Sequence, residues 1–220
     1  MKTGPVRQNR LCAFCGQPPD QKTKEHILPQ WLIKAAGKPG ESVVLGLNKR
    51  TGKPLKFPFE QLTLPACAKC NNTYSKLEGA TQPIFSKLFE EQDLSVDELI
   101  TLLDWFDKVR LGLWLWRLAI NETPINRRFH ITQRMRKKDR VLFVSYFQGQ
   151  PKGMGFFGTS NFAFELIPSC FGLAVNNLAF VNVSFDYLLA PSLGFPCIEN
   201  WRLQGQGEPE RDLSPDWSRI

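Results

Sequence analysis

Two short cysteine pairs, Cys12-Ala-Phe-Cys15 and Cys67-Ala-Lys-Cys70, constrain this 220-residue chain more than any other feature. A C-x-x-C pair sets two thiols on one tight turn, and two such turns supply the tetrahedral four-sulfur set of a structural zinc. Four thiolates leave no coordination position for water, so a zinc here ties residues 12–15 to residues 67–70 and takes no direct part in chemistry. The remaining cysteines, Cys170 and Cys197, stand alone, and the opening MKTGPVRQNR holds no apolar leader stretch. Both features fit a reducing, cytoplasmic setting, in which paired cysteines serve metals rather than disulfides.

With 42% apolar and 22% charged residues, the chain belongs among ordinary globular proteins and not among disordered, collagen-like or coiled-coil ones. Its longest charge-free run, Leu166 to Phe185, is interrupted by Pro168, Gly172, Asn176, Asn177 and Asn182, which excludes a membrane-spanning helix. The net charge of +7 is uneven. Residues 1–90 hold 14 basic and 6 acidic side chains, an excess of eight, while the rest is close to neutral. A basic excess in the cysteine-bearing part suits a polyanionic partner such as DNA, because contact with phosphates releases counterions. The plainer alternative is a solvated basic face.

Periodicity divides the chain into three. Residues 1–90 form a zinc-knuckle unit with a short helix from Trp31 to Ala36, ended by Gly37. Residues 37–60, rich in Gly, Pro and Lys, predict a loop or an irregular hairpin. CNNTYSKLE opens a polar helix after the second pair, and Pro83 is expected to start a separate short helix through Phe89. The segment 91–125 is dominated by a helix from Ser95 to Asn121. Ser95 and Glu98 make a capping box, and Leu102, Trp105, Val109, Leu113, Trp116 and Ile120 recur at helical spacing. Its apolar residues cover nearly every face from Leu111 to Ile120, so it is expected to lie buried between the two halves. Residues 126–220 change to a period of two, predicting an antiparallel β-rich region with strands at Phe129–Met135, Val141–Phe147, Asn161–Leu166 and Leu173–Leu189. The turns fall at Lys138–Asp139 and Gly149–Gly155. The fold class is therefore α+β.

The residues between the cysteine pairs carry the chemical information. Glu25-His26-Ile27-Leu28-Pro29 follows the first pair, and Asn71-Asn72 follows Cys70 directly. This order resembles the HNH endonucleases, also called ββα-metal or His-Me finger nucleases, in the branch built on a zinc-binding treble clef. The resemblance covers residues 12 to about 78. It implies a ββα-metal unit with His26 as general base and Glu25 and Asn71 as ligands of a catalytic Mg²⁺ or Mn²⁺. The implied activity is metal-dependent DNA hydrolysis leaving 5′-phosphate and 3′-hydroxyl ends, as in phage, mobile-element or phage-defence nucleases. A neutral imidazole can take a proton from water near neutral pH, and hard oxygen ligands suit a magnesium-like ion with open coordination positions. Glu78, two helical turns beyond Asn71, is either a further ligand or an exposed helix carboxylate.

The chain departs from the family pattern at the middle Asn that orients the base, where Leu62 stands, flanked by Gln61 and Thr63. The third motif position is Asn71 rather than His, as in the resolvase-like branch. A catalytically inactive zinc-knuckle module that binds nucleic acid or protein is the other reading left open. Candidate DNA contacts are Lys22, Lys24 and Lys69 near the histidine. Arg134, Arg136 and Lys138 would share one face of a predicted hairpin, or else make a solvated turn. His130 and Trp31, Trp105, Trp114 and Trp116 read as structural, and the β-rich region offers a surface for a homodimer or a regulatory protein partner.

Overall fold

The structure, a computed structural model, describes residues 11–184 apart from 20, 22, 38, 39, 41, 48–50, 121–129, 138, 139, 150, 151, 160–163 and 165–167. Among the described residues, eight strands and two long helices make a mixed α+β arrangement in which the sheets are antiparallel. Strand β1 (Thr23–His26) leads into the short helix α1 (Gln30–Ala35). A hairpin of β2 (Ser42–Leu47) and β3 (Pro54–Pro58) follows, then β4 (Thr63–Ala66), α2 (Ala68–Phe89) and α3 (Val96–Ile120). The second half is a four-stranded sheet of β5 (Arg140–Tyr146), β6 (Met154–Phe157), β7 (Cys170–Val175) and β8 (Leu178–Ser184), ordered β5-β8-β7-β6. Strand β1 pairs only with β4, so the chain returns to its starting strand after the β2–β3 hairpin.

The expected central helix is present, and the reciprocal cap at its start is formed. Ser95 N–H donates to Glu98 Oε2 at 2.8 Å and Glu98 N–H donates to Ser95 Oγ at 3.3 Å. Lys87 adds an ion pair to Glu98 at 2.7 Å, and its hydrogen bond holds the Glu98 carboxyl below the usual range. Helix α3 lies against β4 on one side and β5 and β8 on the other, which buries all of its side chains from Asp104 to Leu118. One continuous core runs from Cys12 to Phe180 across both halves. Phe85 sits at its centre, with its ring 5.4 Å from Trp31, 5.2 Å from Trp105 and 5.4 Å from Phe180, joining α1, α2, α3 and β8.

Four expectations change, and one of them is the strand expected at Leu173–Leu189, which is instead the antiparallel hairpin of β7 and β8 turning at Asn176 and Asn177. Pro83 starts no new helix: α2 is a single 22-residue helix with the proline inside it. Proline removes one backbone hydrogen bond there, but Thr81, Ile84, Phe85 and Leu88 are buried around it, and tertiary packing overrides the local preference. The strand expected at Phe129–Met135 is instead a single 3₁₀ turn over Ile131–Gln133, with residue 129 outside the described residues. Alternation was a false lead because Ile131, Arg134 and Met135 are all buried, a spacing that suits a turn. The glycine-rich turn expected at Gly149–Gly155 is present at its start, with Gly149 at a φ of +67°, but it ends earlier, because Met154 and Gly155 belong to β6 and pair with Val175 and Ala174. Residues 37–60 do contain the irregular hairpin, with a register shift between Val44 and Leu47. The expected strand at 161–166 falls almost wholly outside the described residues.

Truncating the hub and truncating the cap should separate core packing from local helix stability. In urea unfolding of the zinc-loaded protein, Phe85→Ala should lose about 3–5 kcal/mol, whereas Ser95→Ala should lose only about 1 kcal/mol.

Candidate active site and metal centre

The four cysteine sulfurs lie within 4.8 Å of one another, the only such ligand cluster among the described residues. The first pair sits on a tight turn in which Gly16 N–H donates to the Cys12 carbonyl at 2.9 Å and Cys12 N–H to the Gln17 carbonyl at 2.8 Å. That turn is fixed to β4 by Ala13 N–H donating to the Pro65 carbonyl at 2.8 Å. Cys67 is the extended residue before α2, and Cys70 lies in the first turn of the helix. The second pair is thus delivered by the end of β4, the strand on which the first turn rests.

Gly16 has a φ of +70°, and a Cβ there would stand 2.8 Å from Cδ2 of His130. Conformation and space both require glycine at this position. His130 is a structural residue packed on the knuckle, and burial lowers its pKa. Burial pushes the Cys15 and Cys70 thiols upward. At Cys12, burial raises the pKa too, but backbone N–H groups outweigh it and hold the thiol below its usual value. A set of soft sulfur donors this close can hold a metal ion such as zinc, which relieves the repulsion among its thiolates.

Glu25 and His26 end β1, opposite Leu64 and Thr63 of β4. Neighbours on a strand point to opposite faces, so Glu25 is buried while His26 is half-exposed. Against Glu25 lies Lys108 of α3, whose side chain is only 1% exposed. Its Nζ donates to Glu78 Oε1 of α2 and, at 3.3 Å, to the backbone carbonyl of His26. Glu25 Oε1 touches the same ammonium as an ion pair, without the alignment of a hydrogen bond. Burial raises the Glu25 carboxyl above its usual range; Lys108 counteracts this in part, and Glu78 adds to it.

The geometry corrects several sequence expectations. Glu78 is neither a free ligand nor an exposed carboxylate, because it is bound to Lys108. Leu62, at the spacing of the family's middle Asn, is buried, and it contributes a main-chain contact in which its carbonyl accepts Ile27 N–H at 2.9 Å. The side chains of His26 and Asn71 make no hydrogen bond to another described residue. Asn71 lies in the first turn of α2, its N–H donating to the Cys67 carbonyl at 2.9 Å. Lys24 and Lys69 are exposed, whereas Lys22 and Lys138 lie outside the described residues.

The face expected to carry Arg134, Arg136 and Lys138 is not shared as expected, since Arg134 is buried while Arg136 is exposed, and Lys138 lies outside the described residues. Arg134 is buried with its guanidinium 4.8 Å from the centre of the Trp114 ring, and Arg136 is engaged by Asp104 at 2.8 Å. Lys108 escaped the sequence reading because its spacing from Asp104 reads as an ordinary surface pair on a helix. The usable signal was its place among Trp105, Phe106 and Val109, large apolar residues on the adjacent turns of α3.

A cavity bordered by Leu11, Cys12, Thr63, Leu64, Leu115 and Trp116 lies between β4 and α3, and neither Glu25 nor His26 lines it. No helix among the described residues is long and apolar enough to cross a membrane.

The chain matches no family model, no curated protein and no solved structure.

The cysteine cluster generates a metal prediction. The purified, reduced protein should carry about one zinc per chain, and Cys67→Ser should lose it together with the fold of the first half. Because the ligands bind as thiolates, acidification should release the zinc, and a colorimetric chelator assay across pH should show release increasing as pH falls. A folded, reduced sample free of zinc by elemental analysis would contradict the assignment.

Proposed function

We propose that this chain is an HNH-type nuclease that hydrolyses DNA phosphodiester bonds, leaving 5′-phosphate and 3′-hydroxyl ends, with His26 as the general base. One observation carries the reading. The Glu25–His26 strand end, the first turn of α2 with Asn71, and two cysteine turns are assembled into one small unit around a closed four-sulfur set. In this arrangement the zinc is structural, and the half-exposed imidazole of His26 stands at the edge of the strand pair, open to water and a phosphate.

A phosphodiester resists attack because of its negative charge, so hydrolysis needs a proton acceptor for water and positive charge near the phosphoryl oxygens. His26 supplies the first. The exposed Lys24 and Lys69, with the basic excess of residues 1–90, attract the backbone. Glu25 and Asn71 are oxygen donors of the type that Mg²⁺ or Mn²⁺ takes. Glu25, however, is already paired with the ammonium of Lys108, a cation it shares with Glu78. The residues present therefore do not fit a divalent ion held by Glu25, and no step of the reaction is routed through one.

The inactive zinc-knuckle module remains the second reading, favoured by Leu62 at the position of the orienting Asn and by the closed contact of Lys108 with Glu25 and Glu78. Supercoiled plasmid decides between them. Wild-type protein should nick it, and His26→Ala should lose roughly two to four orders of magnitude in rate while keeping its zinc and its DNA affinity. Equal cleavage by wild type and His26→Ala would remove His26 from the chemistry. Plasmid retardation without any cleavage, with and without Mg²⁺ or Mn²⁺, would establish the binding module.

A further inference from the structure

We propose that Lys108 is the resident cation of this site: its ammonium takes the place beside Glu25 that a divalent ion would otherwise fill. The proposal concerns the same residues as the nuclease reading, but its test reads metal binding rather than cleavage, so the two fail separately.

Three oxygens from two elements converge on one nitrogen from a third. Glu25 Oε1 and the His26 carbonyl come from β1, Glu78 Oε1 from α2, and Nζ of Lys108 from α3. An ammonium carries three protons and no acceptor: two hydrogen bonds go to Glu78 Oε1 and the His26 carbonyl, and Glu25 Oε1 adds an ion pair. At 1% exposure the lysine has no water to replace any of these partners, and a buried charge persists only where such partners compensate it.

The two carboxylates need the cation in turn. Burial raises the Glu25 carboxyl most and Glu78 adds to it by repulsion, while Lys108 lowers it. No other acid on α3 competes for this nitrogen. Asp104 is taken by Arg136 and Arg140, and Asp107 by Arg110 and Arg140. Lys108 is thus committed to the β1–α2 side of its helix.

Two consequences follow from Coulomb's law in a dry site. A divalent ion at Glu25 would stand within a few ångströms of a fixed positive charge, and that repulsion weakens its binding strongly. Removing the lysine's charge leaves two neighbouring carboxylates without a counterion, which is an oxygen-donor site of the kind Mn²⁺ occupies. The hydrogen bond to the His26 carbonyl also ties α3 to the end of β1.

The experiment is Mn²⁺ titration of the zinc-loaded, full-length protein, followed by the loss of the free-ion electron paramagnetic resonance signal. Wild type should show no stoichiometric Mn²⁺ site that depends on Glu25. Lys108→Met, of similar length and neutral, should gain one site per chain, tighter by on the order of a hundredfold or more, and the added substitution Glu25→Gln should abolish it. A wild-type Mn²⁺ site that disappears in Glu25→Gln would overturn the proposal. So would a Lys108→Met protein that keeps its zinc and circular dichroism spectrum yet gains no Mn²⁺. Should Lys108→Met fail to fold, the wild-type and Glu25→Gln titrations decide the matter by themselves.

Discussion

A helix buried on all sides from Asp104 to Leu118 must bring its charged side chains to partners, and this constraint organises the molecule. Helix α3 buries four ionisable side chains between residues 104 and 110 alone: Asp104, Asp107, Lys108 and Arg110. Each would be costly in a dry interior without compensation. Their partners come from opposite directions. Lys108 faces β1 and α2, while the two aspartates collect Arg136 and Arg140 from the second half. Arg110 reaches Asn182 of β8 at 2.7 Å and the Pro168 carbonyl as well as Asp107. The helix is apolar enough to be the core of both halves, and its charges fix how each half is docked upon it.

Much of this was legible in the sequence because it rests on local patterns. The capping box at Ser95, the helical recurrence of large apolar residues and the two C-x-x-C turns each depend on residues a few positions apart. What failed was governed by distant contacts. Pro83 looks like a helix start to any local rule, yet Ile84, Phe85 and Leu88 pack into the aromatic core and carry α2 through it. Arg134 and Arg136 looked like a phosphate-binding face, but Trp114 and Asp104 lie 20 and 32 positions away along the chain and claim them.

The candidate site divides in the same way. The assembly of the cysteines could be read from spacing, whereas the pairing of roles at Glu25 and His26 came only from the family resemblance. The charge state of the site could be read from neither, because it is set by a lysine more than eighty positions from Glu25. A carboxylate beside a histidine suggests a vacant ligand only while its surroundings are unknown. With Lys108 and Glu78 in view, it belongs to a compensated cluster.

The contacts of the first cysteine turn have a further consequence for biosynthesis. Besides resting on β4, its main chain accepts hydrogen bonds from residues that follow α3: Ile131 N–H to the Ala13 carbonyl at 2.7 Å and Thr132 N–H to the Phe14 carbonyl at 3.2 Å. Tyr74 stacks on Phe14 at 4.0 Å and shares a hydrogen bond with Thr132 through its hydroxyl. A ribosome delivers the chain from its N-terminus, so the sulfurs of both pairs emerge well before the segment that completes their surroundings. Metal capture can therefore precede the final packing, holding the nascent first half together until residues 130–134 arrive to close over the knuckle. The zinc would then act as a temporal scaffold as well as a spatial one.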